Sequence, residues 1–379
     1  MKIFHKVDFR KIDYVILTII TLLTGAGLFC LRHIAQTDPE KANIFKTQII
    51  GFGLGIFLIA IILFIDYQFI CKVSPLLYLF ILGILFATLK MGEVVRHVRR
   101  WIKIAGIQFQ PSELCKIVLI VFLAYLCYLF KDKQKKFYPF FILAACTVIP
   151  MILILKEPHL SPCIVIIALF CIIILVSGIS YKVLMTISLI TVPIVAILLT
   201  GILYFNWNLP LINKYQVQRV INHITAANSN GDSKDDNGKY QQNLSLAAIS
   251  SGGAYGKALS HDDSPRKYES VYSNESDFIF CAVAEEYGFT GCCIIIFLYL
   301  ILVLRCLKIA SHAPDLMGKI IATAVSALFM FQGFINIGVA TDLLPNTGMP
   351  FPFFSYGLTS LVSSMIAVGL VLDIKVQSK

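Results

Sequence analysis

The chain has 379 residues, of which 58% are hydrophobic and only 14% charged, with a mean hydropathy of +0.80. A soluble domain carries about 25% charged residues and a disordered chain still fewer apolar ones, so both are excluded and a polytopic integral membrane protein remains. Against 22 Asp and Glu stand 32 Lys and Arg, a net charge of +10, so the position of those few charges is the first functional question.

A bilayer core about 30 Å thick takes roughly 20 apolar residues per helix. Windows of that size predict ten spans, near 13–31, 48–65, 74–90, 113–130, 137–155, 163–180, 183–205, 278–304, 320–341 and 356–373. The first follows Lys2, Lys6, Arg10 and Lys11 and lacks a small-x-small cleavage site, so it reads as an uncleaved signal anchor. Ten spans put both termini on one side. Long loops do not count in the positive-inside rule. With 206–276 left out, inner segments hold 15 Lys and Arg against 9 in outer ones, which predicts cytoplasmic termini. The eleven cysteines lie in or beside apolar runs, apart from Cys71 in a short connection, and no CxxC pair occurs. They read as small apolar residues, not as a disulfide framework or a zinc knuckle. The expected fold is all-α and polytopic, a single membrane domain over 1–379 with one large extracytoplasmic loop, 206–276, between helices seven and eight.

The charges that topology leaves over are informative. Lys90–Lys103 holds five basic residues yet falls on the outer side. It reads either as a solvated or amphipathic segment on anionic headgroups, or as a site for an anionic, phosphorylated ligand. Trp101 suits both, as interfacial anchor or stacking platform. Glu113 and Lys116, three apart, share one face of span four. Lys116 there either pairs locally and snorkels outward or points into a cavity to meet a phosphate. In the long loop, Asn228–Gly238 reads as flexible, and Leu244–Ile249 as a short interfacial helix. Asp277 opens span eight, where a lone acid reads as a helix N-cap. Glu285 and Glu286 lie about 12 Å further along that helix at 1.5 Å per residue, deep enough to require partners or protonation, and any aqueous cavity reaching Asp277 would pass closer to Glu285.

Gly252-Gly253-Ala254-Tyr255-Gly256-Lys257-Ala258 imitates a P-loop but is one residue short between its glycines and has no Ser or Thr after the Lys. Neither HExxH nor GxSxG occurs. Composition and motifs of this kind leave a transporter and a membrane enzyme both open.

Four ordered blocks go further. Arg99-Arg100-Trp101-Ile102 with Phe109-Gln110-Pro111-Ser112-Glu113…Lys116, then Ser251–Lys257, then Asp277-Phe278-Ile279-Phe280 with Glu285-Glu286-Tyr287-Gly288-Phe289, and finally Asn336-Ile337-Gly338 through Ser355-Tyr356-Gly357 resemble the signatures of the SEDS family (shape, elongation, division and sporulation). The resemblance runs from span one to span ten, and the ten-span topology agrees with it. The short leader and Ala284-Glu285-Glu286 are more similar to its elongation branch than to its division branch. The resemblance implies a peptidoglycan glycosyltransferase in a bacterial cytoplasmic membrane. Such an enzyme polymerises lipid II beside a class B penicillin-binding protein, within the elongation machinery, with no nucleic acid and no cofactor expected, a divalent cation being left open. It implies Asp277 as the essential acid and Arg99, Arg100 and Trp101 as outer-loop substrate residues. Four departures stand out. The pattern K-Q-P-D-L-G-T reads Lys156-Glu157-Pro158-His159-Leu160-Ser161-Pro162, and H-T-D reads Glu275-Ser276-Asp277. In T-G-L-L-P the Gly is Asp342, and in S-Y-G-G-S-S the second Gly is Leu358.

The expected mechanism gives Asp277 the role of general base on the acceptor hydroxyl. Arg99, Arg100, Lys116 and Lys257, with Trp101 and Gln110 beside them, would hold the departing diphosphate. A lipid II transporter and a scaffold for the wall machinery are the rival classes.

Overall fold

The computed structural model describes residues 7–38, 41–95, 98–104, 107–157, 159–180, 237–260 and 264–378, with 182–183, 185–186 and 189. The predicted seventh span, 183–205, and the first part of the long loop lie outside the described residues except at those few positions.

Each of the other predicted spans is met by a helix: α1 (Tyr14–Thr37), α2 (Ile44–Phe64), α3 (Tyr67–Met91), α4 (Pro111–Leu129), α5 (Tyr138–Lys156), α6 (Leu160–Val176), α9 (Ile279–Ser311), α10 (Leu316–Ala340) and α11 (Leu358–Gln377). Eight of these are long and apolar enough to cross a membrane, and α6 is a shorter apolar helix of 17 residues. Their starts are written in short polar side chains. Asp13 accepts from the Val15 and Ile16 amides, Asp66 from Gln68 and Asp315 from Gly318, while Pro111 opens α4 without needing an amide partner.

The helices divide by burial. α4, α10 and α11 bury 67%, 72% and 83% of their apolar windows, whereas α3 and α5 bury 28% each. The first three therefore form the core of the bundle, and the last two turn most of their surface outward, as lipid-facing helices do. α2 comes close to α11 at Gly55, where a Cβ would sit 2.5 Å from Met365 Cγ. A small residue is what lets two apolar helices approach like this in a medium that supplies no hydrophobic drive between them.

Between α3 and α4 the basic segment is neither a simple loop nor an amphipathic helix. It folds as a three-stranded antiparallel sheet, β1 (Glu93–Val95), β2 (Val98–Ile104) and β3 (Ile107–Phe109), in sequential order. Val94 pairs with Arg99, Glu93 with Trp101, and Ile102 with Phe109. Strands that pair their own amides can leave the membrane end of a helix without orphaning backbone groups.

In the long loop, α7 (Asn237–Ser251) contains the predicted short helix but extends back to the end of the polar tract. Its buried polar face holds it to the protein. Gln242 Nε2 donates to Val339 O (3.1 Å) and Leu344 O (2.8 Å), and Ser245 Oγ to Ala340 O (2.8 Å), so α7 satisfies carbonyls at the C-terminus of α10. Just beyond, Asp342 takes a left-handed φ of 58° and pairs with Lys239 at 2.9 Å. Asp is among the non-glycine residues that tolerate this region best, so the Gly-to-Asp departure costs little. The Leu358 departure is also benign. Leu358 is the first residue of α11, and the left-handed position, with φ of 156°, is Gly357 before it. A short helix, α8 (Gly256–Leu259), follows the Gly252-Gly253 turn.

Candidate active site

The alternation of strand β2 sends neighbouring side chains to opposite faces, so Arg99 and Arg100 cannot act as a pair. Arg99 is exposed and donates to Lys90 O (3.1 Å). Arg100 is half-buried and donates through Nε to Glu157 O (3.2 Å), at the C-terminus of α5. Trp101 is half-buried on the Arg99 face. At the head of α4, Gln110 is held by its own amide on Thr359 Oγ1 (3.1 Å) and brings its Nε2 to 3.4 Å from His159 Nδ1.

Lys116 does not snorkel. It is only 1% exposed and pairs with Glu113 Oε1 at 2.7 Å, both groups inside the bundle one turn into α4. An ammonium this deep needs its carboxylate, and breaking such a pair leaves an uncompensated buried charge. Its charge is also felt at His159. Burial first, then Arg100 and Lys116, hold the His159 imidazole well below its usual range, against a hydrogen bond to the Gly348 backbone that favours protonation. The ring is therefore neutral at physiological pH.

Asp277 is half-buried and lies one residue before the N-cap of α9, which is Phe278; it is not the cap itself. The segment leading to it is clamped residue by residue. Lys41 Nζ donates to Asn274 Oδ1 and forms an ion pair with Glu275 Oε2, each at 2.9 Å. Tyr356 N donates to Glu275 O (2.7 Å), and Ser355 Oγ to Ser276 O (2.6 Å). Asn336 Nδ2 then donates to Asp277 O (3.0 Å) and to Met349 O (2.7 Å). The carboxylate faces Gly348, whose φ is 69°; a Cβ there would stand 3.2 Å from Asp277 Oδ2. The Glu275-Ser276 departure thus keeps the acid in place, with Glu275 exchanging its charge for a tie to Lys41.

One predicted ligand lies elsewhere. Lys257, 5% exposed, pairs with Glu285 Oε1 at 2.7 Å and donates to Pro265 O (2.8 Å). Glu285, fully buried, also accepts from Ser251 Oγ (2.8 Å), Lys267 N (2.9 Å) and Tyr268 N (2.8 Å). Glu286 takes Arg266 Nε (3.0 Å) and Tyr268 OH (3.1 Å). Both acids are therefore satisfied by the loop between α7 and α9, and they do not lead toward Asp277. The glycine motif that imitates a P-loop has its own task here. α9 breaks at Gly288 (φ 67°, ψ −171°), and Gly253 O and Ala254 O accept from the amides of Phe289 (2.9 Å) and Thr290 (3.0 Å), capping the second half of the helix. Backbone meets backbone so closely that a Cβ on Gly288 would lie 2.3 Å from Gly256 N.

The residues brought to one place are Arg100, Gln110, Glu113, Lys116 and His159, linked through Gly348 to Asp277. Glu157 joins them and was not foreseen. It is 1% exposed with both carboxylate oxygens buried and without a hydrogen-bond partner, and burial pushes its carboxyl up to about 8 against the pull of Arg100. Its signal in the sequence was an acid beside an apolar span where the resembled pattern has Gln. Asn336 was visible only as a motif letter.

Arg100 and Lys116 thus cluster with the acids Glu113, Glu157 and Asp277 at the ends of membrane helices, in a polytopic membrane protein. Residues 12–379 match the cell cycle protein family of FtsW, RodA and SpoVE, and the chain belongs to that family. It is 30% identical over 375 residues to stage V sporulation protein E of Bacillus subtilis, covering 96% of each chain. It is 28% identical to the probable peptidoglycan glycosyltransferase FtsW of Geobacter sulfurreducens, covering 98% of this chain and 97% of that one. Among solved structures, a chain of a peptidoglycan synthase complex superposes with a TM-score of 0.77 over 96% of this chain and 97% of that one, at 24% identity, a likeness of fold. The family joins FtsW, RodA and SpoVE under one description, so membership does not separate one branch from the others.

Proposed function

We propose that the chain is a peptidoglycan glycosyltransferase that polymerises lipid II, with Asp277 as general base. The observation that carries this is Asp277 itself, held by hydrogen bonds to three successive backbone carbonyls, those of Glu275, Ser276 and Asp277, with its carboxylate facing the Gly348 turn beside a group of cations. The acceptor hydroxyl gives its proton to Asp277 as its oxygen attacks the anomeric carbon. The bond from that carbon to the lipid diphosphate breaks, and the departing charge meets Arg100 and Lys116. One displacement with one base and no covalent intermediate inverts the sugar.

Arg99 and Trp101, on the opposite face of β2, contact the headgroup from the membrane surface, and Gln110 orders the pocket through His159. Lys257 leaves the substrate set, because it lies with Glu285 and Pro265 in the loop docked on α9 and not in the group beside Asp277. The site faces the outer side of a bacterial cytoplasmic membrane, with both termini cytoplasmic. A class B penicillin-binding protein cross-links the product beside it. Ala284-Glu285-Glu286 favours a role in elongation, which complementation of an elongation-deficient strain but not a division-deficient one would support. Reconstitution of the full chain with labelled lipid II tests the main reading: glycan polymer indicates the glycosyltransferase, and headgroup movement across liposomes without polymer indicates a transporter.

A further inference from the structure

The turn that faces Asp277 is tied down from three sides. Ser161 Oγ donates to Thr347 O, the His159 ring lies beside the Gly348 backbone, and Asn336 Nδ2 donates to Met349 O at 2.7 Å. Thr347 and Met349 are thus fixed by side-chain hydrogen bonds, with His159 against Gly348 between them; two of these three side chains stand at the head of α6 and one on α10. Gly348, the middle residue, faces the carboxylate: a Cβ there would stand 3.2 Å from Asp277 Oδ2. His159 and Ser161 are 5% and 1% exposed, so solvent does not compete for these bonds. Both stand where the pattern resembled by this chain has Asp and Gly, so these ties belong to this chain's own sequence.

We propose that His159 and Ser161 are positioning residues that hold the Thr347–Met349 turn against the Asp277 carboxylate and so set its aim at the acceptor hydroxyl. The chemistry of His159 fits this use. A neutral imidazole donates with one nitrogen and accepts with the other. Here Nδ1 meets Gln110 Nε2 at 3.4 Å while the ring lies beside the Gly348 backbone, so His159 stands between the head of α4 and the turn. Gln110 is itself fixed by Thr359 at the start of α11. The aim of the base is therefore shared among α4, α6, α10 and α11, none of which carries Asp277. Loss of either tie lets the turn relax, and a displacement of the reacting geometry by about 1 Å costs about 100-fold in rate.

This inference rests on Asp277 being the base, and one experiment separates the two. The full chain is reconstituted in liposomes and polymerisation kinetics are measured over a range of lipid II concentrations. The variants are His159→Leu, His159→Gln and Ser161→Ala, each checked for a monodisperse detergent complex. His159→Leu is expected to lower kcat by ~10- to 100-fold with KM within about twofold of wild type. His159→Gln keeps one donor and one acceptor and is expected to recover most of that loss. Ser161→Ala is expected to lower kcat by a smaller factor. The double variant His159→Leu/Ser161→Ala is expected to lose less than the product of the two, because both act on one turn. Wild-type kcat in His159→Leu or Ser161→Ala overturns the proposal, as does an equal loss in His159→Leu and His159→Gln. If His159→Leu does not yield folded protein, Ser161→Ala alone decides by the same criterion. Absence of polymer from wild type overturns the glycosyltransferase reading instead.

Discussion

Replacing Lys257 by Met removes one member of a buried ion pair and leaves Glu285 at 0% exposure without its ammonium. Breaking such a pair costs about 3–5 kcal/mol. Three donors remain on the carboxylate, from Ser251, Lys267 and Tyr268, so the cost falls near 3 kcal/mol, toward the lower end of that range. Glu285→Met is worse. It strands the Lys257 ammonium with only Pro265 O and strips the Lys267 and Tyr268 amides of their acceptor, which places it near 5 kcal/mol. The double variant removes both charges and is expected to be less destabilised than the sum of the two singles, a positive coupling in a double-mutant cycle. Thermal unfolding in detergent, read by size-exclusion recovery, ranks the four proteins, and lipid II kinetics on the surviving folded fraction gives KM. The expected result for Lys257→Met is a large loss of thermal stability with KM unchanged. A tenfold rise in KM with unaltered stability would show Lys257 to be a substrate ligand and refute its structural role as the partner of Glu285.

Two further outcomes follow from the geometry. Gly288→Ala forces a β-carbon into the Gly256 backbone, 2.3 Å from its nitrogen, at a φ and ψ that only glycine adopts readily, so the loop must lift off the break in α9. Limited proteolysis is expected to cut between α7 and α9 in that variant and spare the wild type; equal protection would contradict the docking described. Glu157 titrates at about 8 in the folded chain against an ordinary 4.5, so the native state binds more protons than the unfolded one between those values, and stability falls as pH rises through that window. Glu157→Gln is expected to flatten the thermal-stability profile from pH 5 to pH 9 and to exceed wild type at the alkaline end; a wild-type profile that rises over that window would show the carboxyl to be ordinary.

Much of the fold was legible because a bilayer imposes length and polarity on every crossing segment. Spans such as 356–373 and 48–65 sit within a few residues of α11 and α2. Asp277 was legible for the same reason, as an acid at a membrane end. The sheet was missed because its arginines and lysines drew attention to charge, although Val98, Trp101, Ile102 and Ile104 carry β-forming side chains and two-residue gaps separate the strands. What sequence spacing could not reveal was partnership across distance. Lys257 and Lys116 look alike as lysines near apolar segments, yet one closes on Glu285, 28 residues away, and the other on Glu113 in its own helix. The role of Gly252–Gly256 was likewise invisible, because its partner is a break in a helix that the sequence reads as continuous. His159 looked like a loss of an acid, when its tie to Gly348 is formed by the replacement.

The most direct measurement is polymerisation of lipid II by the reconstituted chain with Asp277 replaced by Asn. Asn preserves size and the backbone clamps from Asn336 and its neighbours while removing the base. A general base contributes ~10²- to 10⁴-fold, so the account predicts glycan product reduced by at least about 100-fold with binding of lipid II retained. Polymerisation by Asp277→Asn within tenfold of wild type would contradict it.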